Sequence, residues 1–159
     1  MRFFLGLGSN LGDRGGSLRA AHSELEQRGI HIVASSSTYE TDPVGGPPGA
    51  QNFFNQVVEV ETDLHLGPLL VAAHAIESKL GRNRNNEVRW GPRLIDIDIL
   101  CGDESVNENG FVVPHPRLGR RGFVVIPLAE IAPYLVIEGL GPVSELLERV
   151  GSEGVRIIP

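Results

Sequence analysis

The sequence has little of three things that often point to a function: cysteine, lysine and long apolar runs. Cys101 is the single cysteine, so no disulfide can form within the chain, and a lone thiol suits a reducing compartment. Lys79 is the single lysine, and the other 13 of the 14 basic residues are arginine. No apolar run reaches the roughly 18 residues of a membrane span, and the glycine-rich start is too short for a signal peptide. We therefore expect a cytoplasmic protein that contacts no membrane.

The common nucleotide-binding motifs are also missing. Gly6, Gly8 and Gly12 lie between a predicted strand and a predicted helix, but G-x-G-x-x-G needs a glycine where Leu11 stands. With one lysine and no G-x-x-x-x-G-K-[ST] segment, neither a lysine-based phosphate loop nor the protein-kinase set of motifs is present. No serine lies in a G-x-S-x-G segment. If this protein handles a nucleoside triphosphate, it must therefore use arginines and metal-binding carboxylates.

The composition predicts one globular domain over residues 1–159. Hydrophobic residues make up 41% of the chain and charged residues 21%, both typical of a folded protein. The net charge of −6 argues against general binding of nucleic acid. The arginines are nevertheless clustered in two short segments, as Arg82, Arg84, Arg89 and Arg93, then Arg117, Arg120 and Arg121. Any one of them could be a solvated surface residue, but clustered guanidinium groups suit a small polyanion.

Apolar periodicity predicts strands and helices that do not alternate strictly. The predicted strands are Phe3–Gly8, Ile30–Tyr39, Phe53–Glu61, Leu94–Cys101 and Tyr134–Ile137. The predicted helices are Ser17–Gln27, Leu66–Leu80, Val143–Val150 and, as a short helix at most because it contains Pro127, Phe123–Ile131. The predicted loops are Asp42–Gly49, Gly81–Pro92 and the hairpin-like connection Gly102–Gly110. This pattern favours an α+β fold with helices on one face of an antiparallel sheet.

The segment Arg89–Leu100, R-W-G-P-R-L-I-D-I-D-I-L, is the most informative part of the chain. In a strand, side chains alternate between faces, so Asp96 and Asp98 would lie side by side with Cα atoms roughly 6.6 Å apart. Aspartate is depleted in strands, and two like charges on one face repel. A divalent cation such as Mg²⁺, which binds carboxylate and phosphate oxygens, would remove that conflict. A solvated acidic face is the alternative.

The opposite face of the same predicted strand is apolar. It carries Ile95, Ile97 and Ile99, which should face a core. Cys101 continues this alternation, so we expect a buried and unreactive thiol on the isoleucine face.

Several segments together carry a resemblance to a known family. They are L-G-L-G-S-N-L-G-D at Leu5–Asp13, Y-E-T-D-P-V-G at Tyr39–Gly45, F-F-N-Q-V-V at Phe53–Val58, G-R-N-R at Gly81–Arg84, R-W-G-P-R-L-I-D-I-D-I-L at Arg89–Leu100, and V-P-H-P-R-L…R-G-F-V at Val113–Val124. The chain resembles the 6-hydroxymethyl-7,8-dihydropterin pyrophosphokinases over nearly its whole length, and R-W-G-P-R-x-x-D-x-D is the most specific match. These enzymes of folate biosynthesis transfer the β,γ-diphosphate of ATP to a pterin hydroxymethyl group and release AMP.

The resemblance implies a ferredoxin-like α+β fold and a small-molecule site for ATP and the pterin. It implies two Mg²⁺ ions held by Asp96 and Asp98, and a triphosphate bound by Arg82, from a mobile loop, and Arg93. The residues that it implies around the nucleotide are Glu77, Arg84, Arg93, Ile99, His115 and Arg121. The residues that it implies around the pterin are Thr41, the backbone near Val44, Phe53, Asn55, Phe123 and the lid residue Trp90.

The chain departs from the family pattern near the expected nucleotide. Pro116 stands where some members carry a tyrosine, and Gly110 and Val112 replace polar groups. These differences leave the contacts to adenine and ribose open. No strong candidate for a general base is evident, and we expect a monomer.

Plainer interpretations exist for several of these residues. Phe53 and Phe123 could be core residues, His115 a loop histidine bonded to backbone, Glu77 a solvated helix residue, and Trp90 the brace of a turn. Asn55 is harder to explain in this way, because an asparagine in a strand needs a partner.

Two other functions are compatible with the same fold. One is an RNA-binding module that uses Arg82–Arg93 and exposed aromatic residues. The acidic net charge and the paired aspartates argue against it. The other is a nucleotide sensor that binds ATP without turning it over.

Overall fold

The computed structural model describes residues 1–42, 48–49, 51–81 and 94–159. The strands are β1 Arg2–Ser9, β2 His31–Ser35, β3 Tyr39–Thr41, β4 Phe53–Glu61, β5 Asp96–Gly102, β6 Val106–Glu108, β7 Phe111–Val113, β8 Val136–Ile137, β9 Gly141–Pro142 and β10 Val155–Ile157. The helices are α1 Arg14–Gln27, α2 Leu66–Lys79, α3 Gly122–Ile131 and α4 Val143–Arg149, with a 3₁₀ turn at Leu118–Arg120. Within the described ranges, no helix has the length and apolarity needed to cross a membrane.

The main sheet is antiparallel throughout and has β1 at its centre. β1 pairs with β4 on one side and β5 on the other. β3 pairs with the first part of β4 and β2 with the last part, and β10 extends the sheet outside β3. A β-α-β-β-α-β chain order with the first and third of these strands central is the ferredoxin-like arrangement. The prediction of a ferredoxin-like α+β fold is confirmed.

The first face of the sheet packs on α1 and α2. Phe3, Leu5 and Leu7 alternate along β1 and all point to this side, where they meet Leu25 of α1 and Ile76 of α2. Ile97 and Ile99 of β5 join the same core, because their register partners in β1 are Leu7 and Leu5. The predicted isoleucine face therefore exists, and Ile95 is buried with it.

The second face of the sheet also carries helices, so the prediction that helices cover only one face is wrong. Phe4 of β1 and Val57 of β4 form a separate core with Val125 and Leu128 of α3 and Leu146 of α4. The reason is that apolar side chains stand on both faces of the central strands, and both faces must be covered. The second core fills only part of its face, and the rest is open.

A bulge in β5 changes the position predicted for Cys101. Ile99 pairs with Leu5 and Cys101 pairs with Phe4, so Leu100 is the extra residue. Leu100 and Cys101 both pack in the second core. The thiol is buried as predicted, at 4% exposure, but it does not lie on the isoleucine face.

The predicted strand Ile30–Tyr39 is two strands, because Ser36 interrupts the ladder with its side chain. Its N–H donates to the Val57 carbonyl at 2.9 Å. Its Oγ accepts the Val57 N–H, also at 2.9 Å. In a regular ladder a backbone carbonyl would accept that N–H instead. β2 ends just before this point and β3 begins at Tyr39.

The other boundaries fall close to prediction or have a clear cause. α1 begins three residues earlier than predicted, because Asp13 accepts a hydrogen bond from the Gly16 N–H at 3.0 Å and caps the helix.

α3 is a full helix despite Pro127. Proline costs roughly 3 kcal/mol inside a helix, and burial of Val125 and Leu128 offsets this cost by about 1.5–3 kcal/mol each. The hairpin-like connection contains β6, which pairs with β7 around Asn109–Gly110. The short strands β9 and β10 were not predicted.

Candidate active site

A cavity of about 450 Å³ opens on the second face of the sheet, beside the second core, and extends round the edge strand β5 to α2. Two glycines of β1 form its floor. Gly6 pairs with Asp98 of β5, and Gly8 pairs with Asp96 of β5 and with Asn55 of β4. Asp96 and Asn55 are therefore separated by two strand spacings, roughly 9.6 Å between Cα atoms. No β1 side chain stands between them.

The structure brings the predicted site residues that it describes to this one cavity. They come from six elements or their flanks, and they are Thr41, Phe53, Asn55, Glu77, Asp96, Asp98, Ile99, His115, Arg121 and Phe123. Val44, Arg82, Arg84, Trp90 and Arg93 lie outside the described residues. Proximity does not assign a role to each side chain, so those roles stay predictions.

Asn55 is fixed in place by Thr41 of the neighbouring strand. The Asn55 side chain is buried, with 8% exposure, and its Nδ2 donates to Thr41 Oγ1 at 2.6 Å. A Cβ added to Gly8 would lie 3.0 Å from Asn55 Oδ1, so this oxygen faces the space above the glycine floor. The amide thus presents a hydrogen-bond acceptor to the cavity, and glycine at position 8 leaves room for a ligand there.

Aromatic side chains reach the cavity from the sheet and from a helix. Phe53 is the first residue of β4, and Phe123 lies in the first turn of α3. Neither is fully buried, and Phe123 also packs against the second core. The Arg121 guanidinium lies 5.4 Å from the centre of the Phe123 ring. Flat aromatic faces that line a cavity can stack on a heterocycle.

Glu77 is buried rather than solvated. It lies on α2 with 1% exposure, and its Oε2 accepts the Ile97 N–H at 2.8 Å. This bond ties α2 to the outer edge of β5, between Asp96 and Asp98. Glu77 therefore supports the strand that carries the aspartates, whether or not it also contacts a nucleotide.

His115 and Arg121 lie on the side of the cavity nearest the aspartates. Burial lowers the pKa of His115, and the positive charges of Arg121 and Arg117 lower it further against an opposing effect of Asp96. The imidazole is therefore neutral at pH 7. Its Nδ1 accepts the Arg117 N–H at 3.2 Å, so the proton belongs on Nε2. Burial lowers the pKa of Arg121 as well, with Asp98 acting in the opposite direction. Guanidinium stays charged at any pH of interest.

Asp96 and Asp98 are suitable ligands for Mg²⁺ together with phosphate oxygens. Both are half-exposed on one side of β5, as predicted, and both line the cavity. Within the described ranges, no group of three or more His, Cys, Asp or Glu side chains could hold a metal ion. Hard carboxylate oxygens suit Mg²⁺, which usually completes its shell with water and substrate phosphates. The donor set fits that ion.

Several cavity residues were not predicted from the sequence. His74 and Leu70 lie on α2 one and two turns before Glu77, and Phe111 belongs to β7. The spacing of Leu70, His74 and Glu77 places them on one helix face, so helical periodicity was the signal available. Asp42, beside Thr41, also lines the cavity.

Comparison with known proteins identifies the family. A family model described as 7,8-dihydro-6-hydroxymethylpterin-pyrophosphokinase (HPPK) matches residues 4–133. Three bacterial relatives are each named 2-amino-4-hydroxy-6-hydroxymethyldihydropteridine pyrophosphokinase. The Bacillus subtilis protein is 43% identical over 97% of this chain and 88% of its own length. The Methylorubrum extorquens protein is 43% identical over 97% and 96%, and that of Pseudomonas aeruginosa is 37% identical over 99% and 97%.

Solved structures share the fold. A Plasmodium falciparum HPPK-DHPS wild-type structure with pteroate has a TM-score of 0.71 at 15% identity and covers 93% of this chain. An HPPK-DHPS structure in complex with substrates has a TM-score of 0.70 at 13% identity and covers 92% of this chain. This chain spans 42% of the length of each of those chains, and at such identities the likeness concerns the fold alone. The family model and the bacterial relatives are what establish that the chain belongs to the 7,8-dihydro-6-hydroxymethylpterin-pyrophosphokinase family.

Proposed function

We propose that this protein transfers the β,γ-diphosphate of ATP to the hydroxymethyl group of 6-hydroxymethyl-7,8-dihydropterin, giving the pterin diphosphate and AMP in folate biosynthesis. The observation that carries the proposal is the arrangement across the glycine floor. An amide acceptor with aromatic neighbours lies on one side of Gly6 and Gly8, and paired carboxylates lie on the other. One end suits a flat polar heterocycle and the other suits a metal-bound phosphate chain.

The pterin would bind at the Asn55 end of the cavity. Thr41 and Asn55 would meet the polar edge of the ring, and Phe53 and Phe123 would stack on its faces. Val44 and Trp90 are proposed to complete this subsite. A ring held there directs its hydroxymethyl group along the floor toward Asp96 and Asp98, which is the orientation that in-line attack on the β-phosphorus requires.

The nucleotide would bind at the aspartate end. Asp96 and Asp98 would hold two Mg²⁺ ions, which supply charge neutralisation for the attacking and leaving oxygens. Arg121 would contact the phosphates as a cation, and neutral His115 would donate from Nε2. Arg82 and Arg93 are proposed to stabilise charge on the transferred group, and Arg84, Glu77 and Ile99 to line the nucleotide subsite. Electrostatic stabilisation and positioning account for most of the catalysis in phosphoryl transfer.

We further propose that the enzyme acts as a monomer in the cytoplasm on small-molecule substrates, without nucleic acid. The lone buried thiol of Cys101 supports a reducing compartment.

The aspartates provide the test of the site. We expect Asp96→Asn and Asp98→Asn each to lower turnover at least about a hundredfold, because a metal ion contributes several kcal/mol at the transition state. Turnover should be measured across a Mg²⁺ titration, with circular dichroism to follow the fold. Asp103→Asn is the matched control, since Asp103 follows the same strand, does not line the cavity and accepts the Arg2 N–H at 2.8 Å.

Two results would count against this site. One is full turnover by both aspartate variants, and the other is an equal loss in Asp103→Asn. Wild-type protein that binds ATP but forms no AMP with the pterin would instead favour the nucleotide sensor.

A further inference from the structure

A second cavity, of about 530 Å³, adjoins the active-site cavity. We call it the arginine vestibule. Arg117, Arg120 and Arg121 line one side of it, and the segment from Gly151 to Val155 lines the other. Thr41, Asp42, Arg121 and Phe123 belong to the walls of both cavities, so the two cavities adjoin along these residues.

The arginine vestibule is positively charged although the protein is acidic overall. Six of the other described basic residues, Arg2, Arg14, Arg28, Lys79, Arg149 and Arg156, form ion pairs with carboxylates. Within the described ranges, the guanidinium groups of Arg120 and Arg121 have no carboxylate at ion-pair distance. Two acidic residues belong to the wall. Asp42 is paired with Arg156, since its Oδ1 lies 3.1 Å from Arg156 Nη2. Glu153 is the other acidic residue of the wall.

The two cavities present different charges to a bound anion. The active-site cavity contains Asp96, Asp98 and Glu77, so a phosphate chain there needs metal ions to balance these charges. None of those carboxylates lines the arginine vestibule, which instead offers planar guanidinium forks. Such forks bind phosphate oxygens in pairs without a metal.

We propose that the arginine vestibule is a second subsite, which binds an oligophosphate group beside the active site in the absence of metal. The oligophosphate class rests on the proposed function, and two sources share this chemistry. One is the triphosphate of arriving ATP, and the other is the diphosphate of the departing pterin product. Binding of either next to the shared wall would raise its local concentration at the mouth of the active-site cavity.

Inorganic pyrophosphate in EDTA is the direct probe, because it needs no turnover and no metal. We expect wild-type protein to bind it in calorimetry, Arg120→Gln to bind it at least about fivefold more weakly, and Arg120→Lys to recover part of the affinity. Arg19→Gln is the control, an arginine of α1 that lines neither cavity. Asp98→Asn should retain pyrophosphate binding under these conditions. Absence of binding by the wild type, or equal affinity of Arg120→Gln, would show that no such subsite exists.

Kinetic measurements distinguish arriving ATP from the departing pterin diphosphate as the ligand of the arginine vestibule. A lower kcat/KM for ATP in Arg120→Gln, with the deficit largest at low ionic strength, identifies arriving ATP. A faster release of the pterin diphosphate after a single turnover identifies the departing product. If Arg120→Gln matches Arg19→Gln in both measurements, the subsite has no part in turnover and the proposal is wrong. The pyrophosphate titration stands apart from the reaction, so it can succeed or fail independently of the proposed function.

Discussion

Asn55 shows how one contact prepares a side chain for recognition. Its Nδ2 is occupied by Thr41 at 2.6 Å, so the amide cannot turn freely and its Oδ1 stays over the glycine floor. A buried amide held in this way selects a ligand that donates a hydrogen bond, because an unmatched polar group would remain desolvated. Phe123 contributes differently, through the area and shape of its ring.

We predict that Asn55→Ala and Phe123→Ala weaken pterin binding and leave ATP binding nearly unchanged. The loss for Asn55→Ala should be about 1–3 kcal/mol, because polar atoms of the ring remain unpaired. The loss for Phe123→Ala should be about 1 kcal/mol or more beyond lost burial. Calorimetry with each ligand measures this, and Asn107→Ala, on β6 outside the cavity, is the control. Equal losses for pterin and ATP would mean that both residues only support the fold.

We predict that Cys101 reacts slowly with alkylating reagents while the protein is folded. Burial raises the pKa of its thiol to about 12. Because the thiolate is the reactive form, the folded protein at pH 8 should react on the order of a thousandfold more slowly than the protein in denaturant. Mass spectrometry of timed reactions follows the modification. Similar rates in the two states would show that the second core is open to reagents.

At the scale of elements, α3 connects Phe123 to the strand beside Asn55. Phe123 lies at its start, and Glu130 near its end accepts hydrogen bonds from Tyr39 Oη, from the Ser37 N–H at 2.9 Å and from Ser37 Oγ at 3.0 Å. Tyr39 pairs with Asn55 in the sheet. Glu130 thus fastens the helix that carries Phe123 to the strand beside Asn55.

We predict that this link depends on pH in two separate windows. Partial burial favours a higher pKa for Glu130, but the hydrogen bonds from Tyr39 and Ser37 outweigh it, and the pKa is lowered from 4.5. Its stabilising effect is therefore complete above pH 4.5 and is lost as the pH falls through the lowered value. Burial and Glu130 raise the pKa of Tyr39 from 10 to about 12, so the tyrosine stabilises the fold below pH 10 and stops doing so as the pH rises through about 12.

Melting temperatures across pH test this prediction. Wild type should lose stability between pH 4.5 and 3 more steeply than Glu130→Gln. Between pH 10 and 12 it should lose stability more steeply than Tyr39→Phe. Parallel curves of melting temperature against pH for a variant and the wild type would show that the hydrogen bond removed in that variant contributes nothing to stability.

An element was predictable from the sequence where the interactions that form it are local in the chain. Phe53–Glu61 was predicted to the residue, because its alternation and flanking turns are local signals, and α2 was one residue shorter than predicted. The break at Ser36 was not predictable from alternation, since it depends on a hydroxyl that meets Val57 across the sheet. The bulge at Leu100 likewise depends on pairing with β1. α3 required knowledge of the second core, which only the folded chain provides.

The same distinction applies to the candidate site. Strand alternation alone placed Asp96 and Asp98 side by side on one face but left a solvated acidic face as the alternative. The shared family motifs supplied the metal-binding role and the other residues. The glycine floor was not identified, because its meaning depends on which strands flank β1. The cluster Arg117–Arg121 was recognised as suited to a small polyanion, but the arginine vestibule was not, since Gly151–Val155 meets these arginines only after folding.

At the scale of the whole molecule, the two faces of the sheet have different roles. The first face is fully covered by α1 and α2 and supplies a large core. The second is covered in part by α3 and α4, and the uncovered remainder is the cavity. Strands from a rigid sheet therefore carry the aspartates and Asn55, which suits a reaction that depends on positioning.

The nucleotide product tests the central claim most directly. We would incubate the protein with MgATP and 6-hydroxymethyl-7,8-dihydropterin and follow the phosphorus signals by ³¹P NMR. We predict AMP and the pterin diphosphate in equal amounts from wild type and Asp103→Asn, and at least about a hundredfold less of each from Asp98→Asn in the same time. ADP as the stoichiometric product, or an active Asp98→Asn, would contradict a diphosphate transfer at the paired aspartates.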